Sequence, residues 1–156
     1  MYLRILWVGK TRNAPMRSLV EDYVGRVQRL ISCTVAELPD PARKKGYRGQ
    51  DLCEAEALKI EAALVPDCRH VALDEKGRQL SSVEFAHWFE NEQNRGTKGV
   101  EFIIGGPEGL SSSVLGRAHL RLSLGKMTWT HEMSRVLLLE QIYRAQCIVK
   151  NIPYHK

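Results

Sequence analysis

The chain has 156 residues, of which 44% are hydrophobic and 26% are charged, and its formal net charge is +5. These values are normal for one soluble globular domain with a hydrophobic core. No stretch approaches the roughly 18 apolar residues that a membrane span needs, and the first nine residues are too short for a signal peptide, so we expect a cytoplasmic protein.

The first half of the chain predicts strands that alternate with helices. Residues 2–8 predict a strand, and residues 14–30 predict a helix with one apolar stripe. Residues 32–38 predict a second strand. Residues 39–50 form a polar loop rich in turn-forming residues, and residues 51–64, which are rich in Ala, Glu and Leu, predict a second helix.

The second half continues the same alternation. Residues 70–74 predict a short strand that ends in a turn at 75–77, and residues 82–94 predict a helix. Residues 99–104 predict an almost wholly apolar strand, and residues 119–124 a half-buried one. Strands alternating with helices predict an α/β fold with a mainly parallel sheet, organised as a single domain over the whole chain.

The last predicted helix, residues 132–150, is apolar nearly all round. Such a helix needs burial on more than one side, whereas a terminal helix covers only one face of its own sheet. We therefore predict that its second apolar face forms the interface of a homodimer. The alternative is a helix sunk deep in one core.

Positive charge is concentrated at the end of the chain. Residues 1–116 carry 16 Lys and Arg against 16 Asp and Glu, whereas residues 117–156 carry 7 against 2. A local positive field attracts a polyanion such as RNA. The alternative is a solvated face without a partner.

Cysteine and histidine spacing indicates no metal site. The four cysteines form no C-x-x-C pair, and no H-E-x-x-H pattern occurs. We expect reduced, mostly buried thiols, and no metal.

A glycine-rich segment, G-G-P-E-G at residues 105–109, follows the apolar strand. Ligands of parallel sheets bind beyond the carboxyl ends of strands, and glycine lets the backbone approach them closely. The pattern is neither G-x-G-x-x-G nor a P-loop, which argues against an ordinary dinucleotide or nucleoside-triphosphate site. A plain tight turn is the alternative.

A second irregular segment, residues 124–133, lies between the last strand and the last helix. Its backbone could surround an adenine, with Leu124, Met127 and Trp129 sandwiching the ring, and Thr130 could cap the helix. The alternative is a structural loop with a buried Trp.

Aromatic and cationic residues near the end of the chain are candidates for RNA contact. Tyr143, Tyr154 and His155 could stack on a base, and Arg144 could clamp a phosphate. The alternative for Arg144 is an ion pair with Glu140, four residues earlier.

The motifs together resemble one family over nearly the whole chain. They are V-G-K at residues 8–10, L-D at 73–74, I-G-G-P-E-G-L at 104–110, G-K-M-T-W-x-H at 125–131, E-Q-x-Y-R-A at 140–145 and P-Y-H-K at 153–156. This combination resembles the RlmH family of SPOUT-class methyltransferases. The chain departs from many members at Thr130, where they have proline, and at Glu132, where they have glutamine.

The resemblance implies a parallel sheet flanked by helices, with a C-terminal trefoil knot. It implies a homodimer with its site at the subunit interface, and S-adenosylmethionine as the cofactor. The implied reaction is methylation of N3 of a pseudouridine in helix 69 of 23S ribosomal RNA in the assembled ribosome. The cofactor-binding residues implied are Leu73, Gly105, Gly106, Leu124, Gly125, Lys126, Met127, Thr128 and Trp129.

Methyl transfer to a pseudouridine nitrogen requires loss of a weakly acidic proton. Our candidates for the base are His131 and His155, and our candidates for the cation that stabilises the anion are Arg135 and Arg144. Two other functions stay open, a non-catalytic RNA- or ribosome-binding protein and a SPOUT methyltransferase for a tRNA or another rRNA site. The residues expected to bind RNA are Tyr143, Arg144, Tyr154, His155 and Lys156.

Overall fold

The computed structural model of the protein describes residues 1–41 and 46–155, and a five-stranded sheet forms its centre. The strands lie in the order β2-β1-β4-β3-β5, and each neighbouring pair is parallel. The prediction of an α/β fold with a parallel sheet is therefore confirmed. The strands are β1 (Tyr2–Val8), β2 (Cys33–Leu38), β3 (Cys68–Gln79), β4 (Gly99–Ile104) and β5 (Leu120–Ser123).

Helices of the described chain cover both faces of the sheet. Strand side chains alternate between the faces, so Ile5 and Phe102 pack in a core with α1, α3 and α5, whereas Leu6 and Ile103 pack in a second core with α2 and α4. The helices are α1 (Ala14–Gln28), α2 (Gly49–Ala63), α3 (Ser82–Asn94), α4 (Ser112–Arg117) and α5 (His131–Val149).

Strand β3 is longer than predicted, because the expected turn at residues 75–77 lies inside it. Both Leu73 and Arg78 pair with Leu122 of β5, so the residues between them bulge out of the sheet. A Cβ on Gly77 would lie 2.7 Å from the carbonyl carbon of Arg121. The bulge therefore depends on a glycine that packs directly on the backbone of β5.

Helix α5 packs against both α1 and α3. Leu138, Leu139 and Ile142 are fully buried, which is the deep placement in one core that the sequence left open. Leu137 and Ile148 are only half-buried. With Val149, which is also half-buried, these side chains are the part of the apolar helix surface left for the homodimer interface that we predicted.

Other expectations concern thiols, metals and membranes. All four cysteines are free, and three of them, Cys33, Cys68 and Cys147, are buried as predicted. Within residues 1–41 and 46–155, no group of three His, Cys, Asp or Glu side chains is arranged to hold a metal ion. In the same residues, no helix combines the length and the apolar character needed to cross a bilayer.

Candidate functional site

The carboxyl ends of β3, β4 and β5 lie at one edge of the sheet, and the segments expected to hold a cofactor are found there. Leu73 of β3 pairs with Leu122 of β5, and Gly105 directly follows β4. Because β3 lies between β4 and β5, the ends of those two strands are about 10 Å apart, twice the spacing of neighbouring strands. The Thr128 hydroxyl donates to the Glu75 carboxylate at 3.4 Å, which joins the segment after β5 to the β3 bulge.

Residues 105–110, here called the glycine loop, form a tight turn. Gly106 and Gly109 pair as an antiparallel bridge, and the Gly109 N–H donates to the Gly106 carbonyl at 3.0 Å. Gly109 has a φ of +79°, in the left-handed region that favours glycine. A Cβ on Gly105 would lie 2.6 Å from the carbonyl oxygen of Gly109. The packing of the loop on itself therefore requires glycine at 105 and favours it at 109, with or without a ligand.

Residues 124–130, here called the β5–α5 loop, leave the sheet edge with apolar side chains exposed. The Ser123 hydroxyl accepts the Gly125 N–H at 3.3 Å and donates to the Gly125 carbonyl at 2.9 Å. Met127 is 74% exposed and Trp129 is 43% exposed. The alternative of a structural loop around a buried Trp is therefore wrong. In the single chain these apolar side chains face solvent.

A cavity of about 350 Å³ lies beside the β5–α5 loop. Its walls come from the end of β5, the start of α3 and the middle of α5, and they include Trp129, Leu137 and Gln141. Neither Gly105 nor Gly106 lines it. Within one chain, this cavity therefore does not join the two segments that were expected to hold a cofactor.

The start of α5 has the predicted cap. The Thr130 hydroxyl accepts the Met133 N–H at 3.3 Å, and the helix begins at His131. Burial of the His131 imidazole, together with the positive charge of Arg135, lowers its pKa. His131 is therefore neutral at neutral pH and able to accept a proton.

Arg135 is fully buried one turn further along α5. Its guanidinium donates to the Thr11 hydroxyl at 2.8 Å and to the Val8 carbonyl at 2.7 Å, and it lies 4.9 Å from the centre of the Trp7 ring. This placement ties α5 to the end of β1. In the single chain Arg135 thus has a structural position, in contrast to the catalytic role expected from the sequence.

Other candidate residues meet near the carboxyl end of α5. We call this group the tail cluster, and its members are Glu140, Tyr143, Arg144, Tyr154 and His155. Arg144 Nε donates to the Glu140 carboxylate at 3.1 Å, and the Tyr154 hydroxyl donates to the same oxygen at 3.1 Å. The Arg144 guanidinium lies 4.8 Å from the Tyr154 ring centre and 3.5 Å from His155 Nδ1. The rings of Tyr143 and Tyr154 meet edge to face at 4.8 Å. The Glu140–Arg144 ion pair is therefore present, and it forms part of an aromatic, cationic surface.

Two residues of α1 join this cluster, and the sequence did not indicate them. The Arg26 guanidinium lies 5.4 Å from the Tyr23 ring and 6.0 Å from the Tyr143 ring, and the two tyrosine rings are 6.4 Å apart. Their proximity arises from the packing of α1 on α5, which no local spacing encodes.

The candidate residues thus form two groups. His131 and Arg144 are thirteen positions apart on one helix, which separates them by about 20 Å along its axis. Lys156 lies outside the described residues, as do residues 42–45 of the predicted polar loop. The strand-end segments and the tail cluster do not meet within one chain.

The family described as predicted SPOUT methyltransferase matches residues 1–155. Similar proteins include one from Trichlorobacter lovleyi, 42% identical over 155 residues, and one from Geotalea daltonii, 39% identical over 155 residues. Both alignments cover 99% of each chain, and both proteins are named ribosomal RNA large subunit methyltransferase H.

Solved structures share the fold at low sequence identity. A probable methyltransferase from Bordetella pertussis Tohama I aligns with a TM-score of 0.58 at 12% identity, over 92% of this chain and 95% of its own. A probable methylase family protein from Haemophilus influenzae Rd KW20 aligns with a TM-score of 0.52 at 14% identity, over 99% of this chain and 70% of its own.

Proposed function

The chain belongs to the SPOUT methyltransferase family, within the ribosomal RNA large subunit methyltransferase H group, and on that premise we propose that it transfers a methyl group from S-adenosylmethionine to N3 of a pseudouridine in helix 69 of 23S ribosomal RNA. One observation carries the proposal: Leu73, beside the end of β5, lies at the same edge of the parallel sheet as Gly105, which follows β4, and the loop that follows β5. The expected location is the cytoplasm, where ribosomes are assembled.

The residues at this edge fit a methyl donor built on adenosine. The β5–α5 loop offers irregular backbone N–H and C=O groups for an adenine, and the exposed Met127 and Trp129 offer apolar cover for a ring. Gly105 and Gly106 pack against the Gly109 backbone and the Glu56 carboxylate, so we propose that this loop contacts the cofactor through backbone groups. When bound, S-adenosylmethionine supplies a methyl group on a positively charged sulfur. The full set of residues proposed to hold it is Leu73, Gly105, Gly106, Leu124, Gly125, Lys126, Met127, Thr128 and Trp129.

The protein's own groups position the acceptor and handle its proton. The neutral imidazole of His131 is our first candidate for the base that removes the N3 proton, with His155 as the alternative. Arg144 is the candidate cation for the resulting anion, because its guanidinium is partly exposed whereas that of Arg135 is buried. We propose that Tyr143, Tyr154 and Lys156 contact the RNA.

The proposed reaction requires a second copy of the chain. The tail cluster lies about 20 Å along α5 from His131, too far for its side chains to reach the strand-end segments of the same chain. A homodimer in which the tail of one copy approaches the strand ends of the other would complete the site. Half-buried Leu137 and exposed Met127 are apolar surface available to such an interface. Family membership further implies a C-terminal trefoil knot, which we include in the proposal.

Methylation of assembled ribosomes, compared with naked 23S ribosomal RNA, tests the function. We expect incorporation of one methyl group into a helix 69 fragment of ribosomes that lack the modification, located by mass mapping. Methylation of tRNA or of another rRNA fragment would replace the proposed substrate. RNA binding without any affinity for S-adenosylmethionine would leave a non-catalytic ribosome-binding protein.

A further inference from the structure

A buried carboxylate lies directly behind the glycine loop. Glu56 of α2 is 2% exposed, and its Oε2 accepts the backbone N–H of Gly106 at 3.2 Å. The two residues are fifty positions apart in the chain. A Cβ on Gly106 would overlap the Glu56 carboxylate. Glutamate at 56 and glycine at 106 therefore fit each other closely.

Among residues 1–41 and 46–155, no cation pairs with the Glu56 carboxylate. Its hydrogen bond to Gly106 is the one polar contact that the described residues give it. The negative charges of Asp40, which precedes α2, and of Glu108, in the glycine loop, act unfavourably on it, and Cys53 lies one turn away on α2. Asp40 itself pairs with Arg12 at 3.4 Å. A buried carboxylate among other acids is unfavourable for folding alone, so its presence points to a role in the site.

The hydrogen bond fixes the orientation of one peptide group. In a trans peptide the carbonyl points opposite to the N–H. With the Gly106 N–H directed at Glu56 of α2, the Gly105 carbonyl points to the opposite side of that peptide group, away from α2. A hydroxyl or amino group of a bound adenosine could donate to it.

We propose that Glu56 is a positioning residue that holds the Gly105–Gly106 peptide in the orientation required for binding S-adenosylmethionine. This inference rests on the proposed function, since it concerns the same cofactor. An ionised carboxylate is a stronger hydrogen-bond acceptor than a neutral carboxyl group, so the cofactor is held best when Glu56 is charged. Burial, with Asp40 and Glu108 adding to it, raises the pKa of Glu56 to about 7. Cofactor affinity should therefore fall as the pH drops below 7.

Calorimetric titration of the purified full-length protein with S-adenosylmethionine, between pH 6 and pH 8, tests this role. For the unmodified protein we expect the affinity to be about fivefold weaker at pH 6 than at pH 8, the ratio given by one weakened charge-assisted hydrogen bond. Glu56→Gln should bind about fivefold more weakly at pH 8 and should lose this pH dependence. Glu54→Gln, at an exposed position on the same helix, is the matched control and should behave like the unmodified protein. Any titration of the cofactor itself affects both variants equally, so it cancels when their pH profiles are compared.

Each outcome bears on one claim. Equal affinities and equal pH profiles for the unmodified protein and Glu56→Gln, with circular dichroism showing both folded, would overturn the positioning role. Glu56→Met keeps the volume without an acceptor and provides the same comparison if Glu56→Gln is poorly folded. An unmodified protein that binds no S-adenosylmethionine at any pH would overturn the proposed function instead.

Discussion

The carboxylate of Glu132 accepts the backbone N–H of Arg12 at 2.7 Å. The other carboxylate oxygen accepts the N–H of Asn13, the residue that caps α1, at 3.1 Å. The first turn of α5 is thereby joined to the beginning of α1. The negative charge of Glu132 is thus engaged by backbone N–H groups, and it does not lie free beside the site.

The first prediction is that Glu132→Gln loses stability at neutral pH, by about 1 kcal/mol, because an amide offers one acceptor where the carboxylate offers two. Partial burial raises the pKa of Glu132, but the N–H groups of Arg12 and Asn13 and the charge of Arg135 outweigh it and lower the net pKa. The stabilisation is therefore present above pH 4.5 and is lost as the pH falls through the lowered pKa. Urea denaturation at pH 7 and pH 4 measures the difference, with Glu21→Gln, exposed on α1, as the control. Equal stabilities of Glu132→Gln and the unmodified protein at pH 7 would contradict this prediction.

Local features of the fold were predictable from sequence, and long-range pairings were not. The Thr130 cap and the apolar strand at residues 99–104 depend on neighbours in the chain, and the structure has both. The hydrogen bond between Glu56 and Gly106 joins residues far apart in the sequence. A single charged residue in a helical pattern is normally expected at the surface, so nothing local indicated that Arg135 is buried.

The second prediction concerns Arg135. Replacement by Ala should lower the free energy of unfolding by about 3 kcal/mol or more, because it leaves a cavity and deprives the Thr11 hydroxyl and the Val8 carbonyl of their donor. Arg135→Met keeps a long side chain against Trp7 and should cost less. Urea denaturation gives the stabilities, and a cofactor titration shows whether binding survives in Arg135→Met. A variant as stable as the unmodified protein but without methylation would instead make Arg135 catalytic.

The third prediction is that deletion of residues 154–156 abolishes methylation while cofactor affinity changes less than twofold. Arg144→Ala should lower the methylation rate by about a hundredfold, because it removes the cation proposed to stabilise the anion. Because its pair with Glu140 is partly buried, the variant should also lose about 1 kcal/mol or more of stability, so its methylation is measured below its melting temperature. Calorimetry and a ribosome methylation assay on both variants provide the comparison. Loss of cofactor binding after the deletion would show that the tail is structural.

The fourth prediction is a pH profile for His131. Burial and the charge of Arg135 lower its pKa, so its neutral form persists at pH values where an ordinary histidine is largely protonated. If His131 is the base, kcat/KM for the RNA falls only below pH 6.5 when it is measured at saturating S-adenosylmethionine, where the titration of Glu56 does not limit the rate. His131→Gln should reduce kcat/KM by about a hundredfold and remove this acidic decline. His155→Gln is the parallel variant. A decline retained in His131→Gln and absent from His155→Gln would assign the base to His155.

The last prediction separates the stability of the fold from its function at Glu56. The folded-state pKa is raised from 4.5 to about 7, so the folded protein binds the proton more tightly than the unfolded chain. Stability therefore falls as the pH rises from 4.5 to 7, and above that range the ionised group costs about 3 kcal/mol. Glu56→Gln, which cannot ionise, should have a free energy of unfolding about 3 kcal/mol higher than that of the unmodified protein at pH 8, and the two should match near pH 4, below both pKa values. Urea denaturation at both pH values measures this, with Glu54→Gln as the control. If Glu56→Gln is more stable but binds the cofactor less well, the glutamate lowers the stability of the fold and maintains the geometry of the glycine loop. If the variant is destabilised at pH 8, the Glu56 carboxylate stabilises the fold.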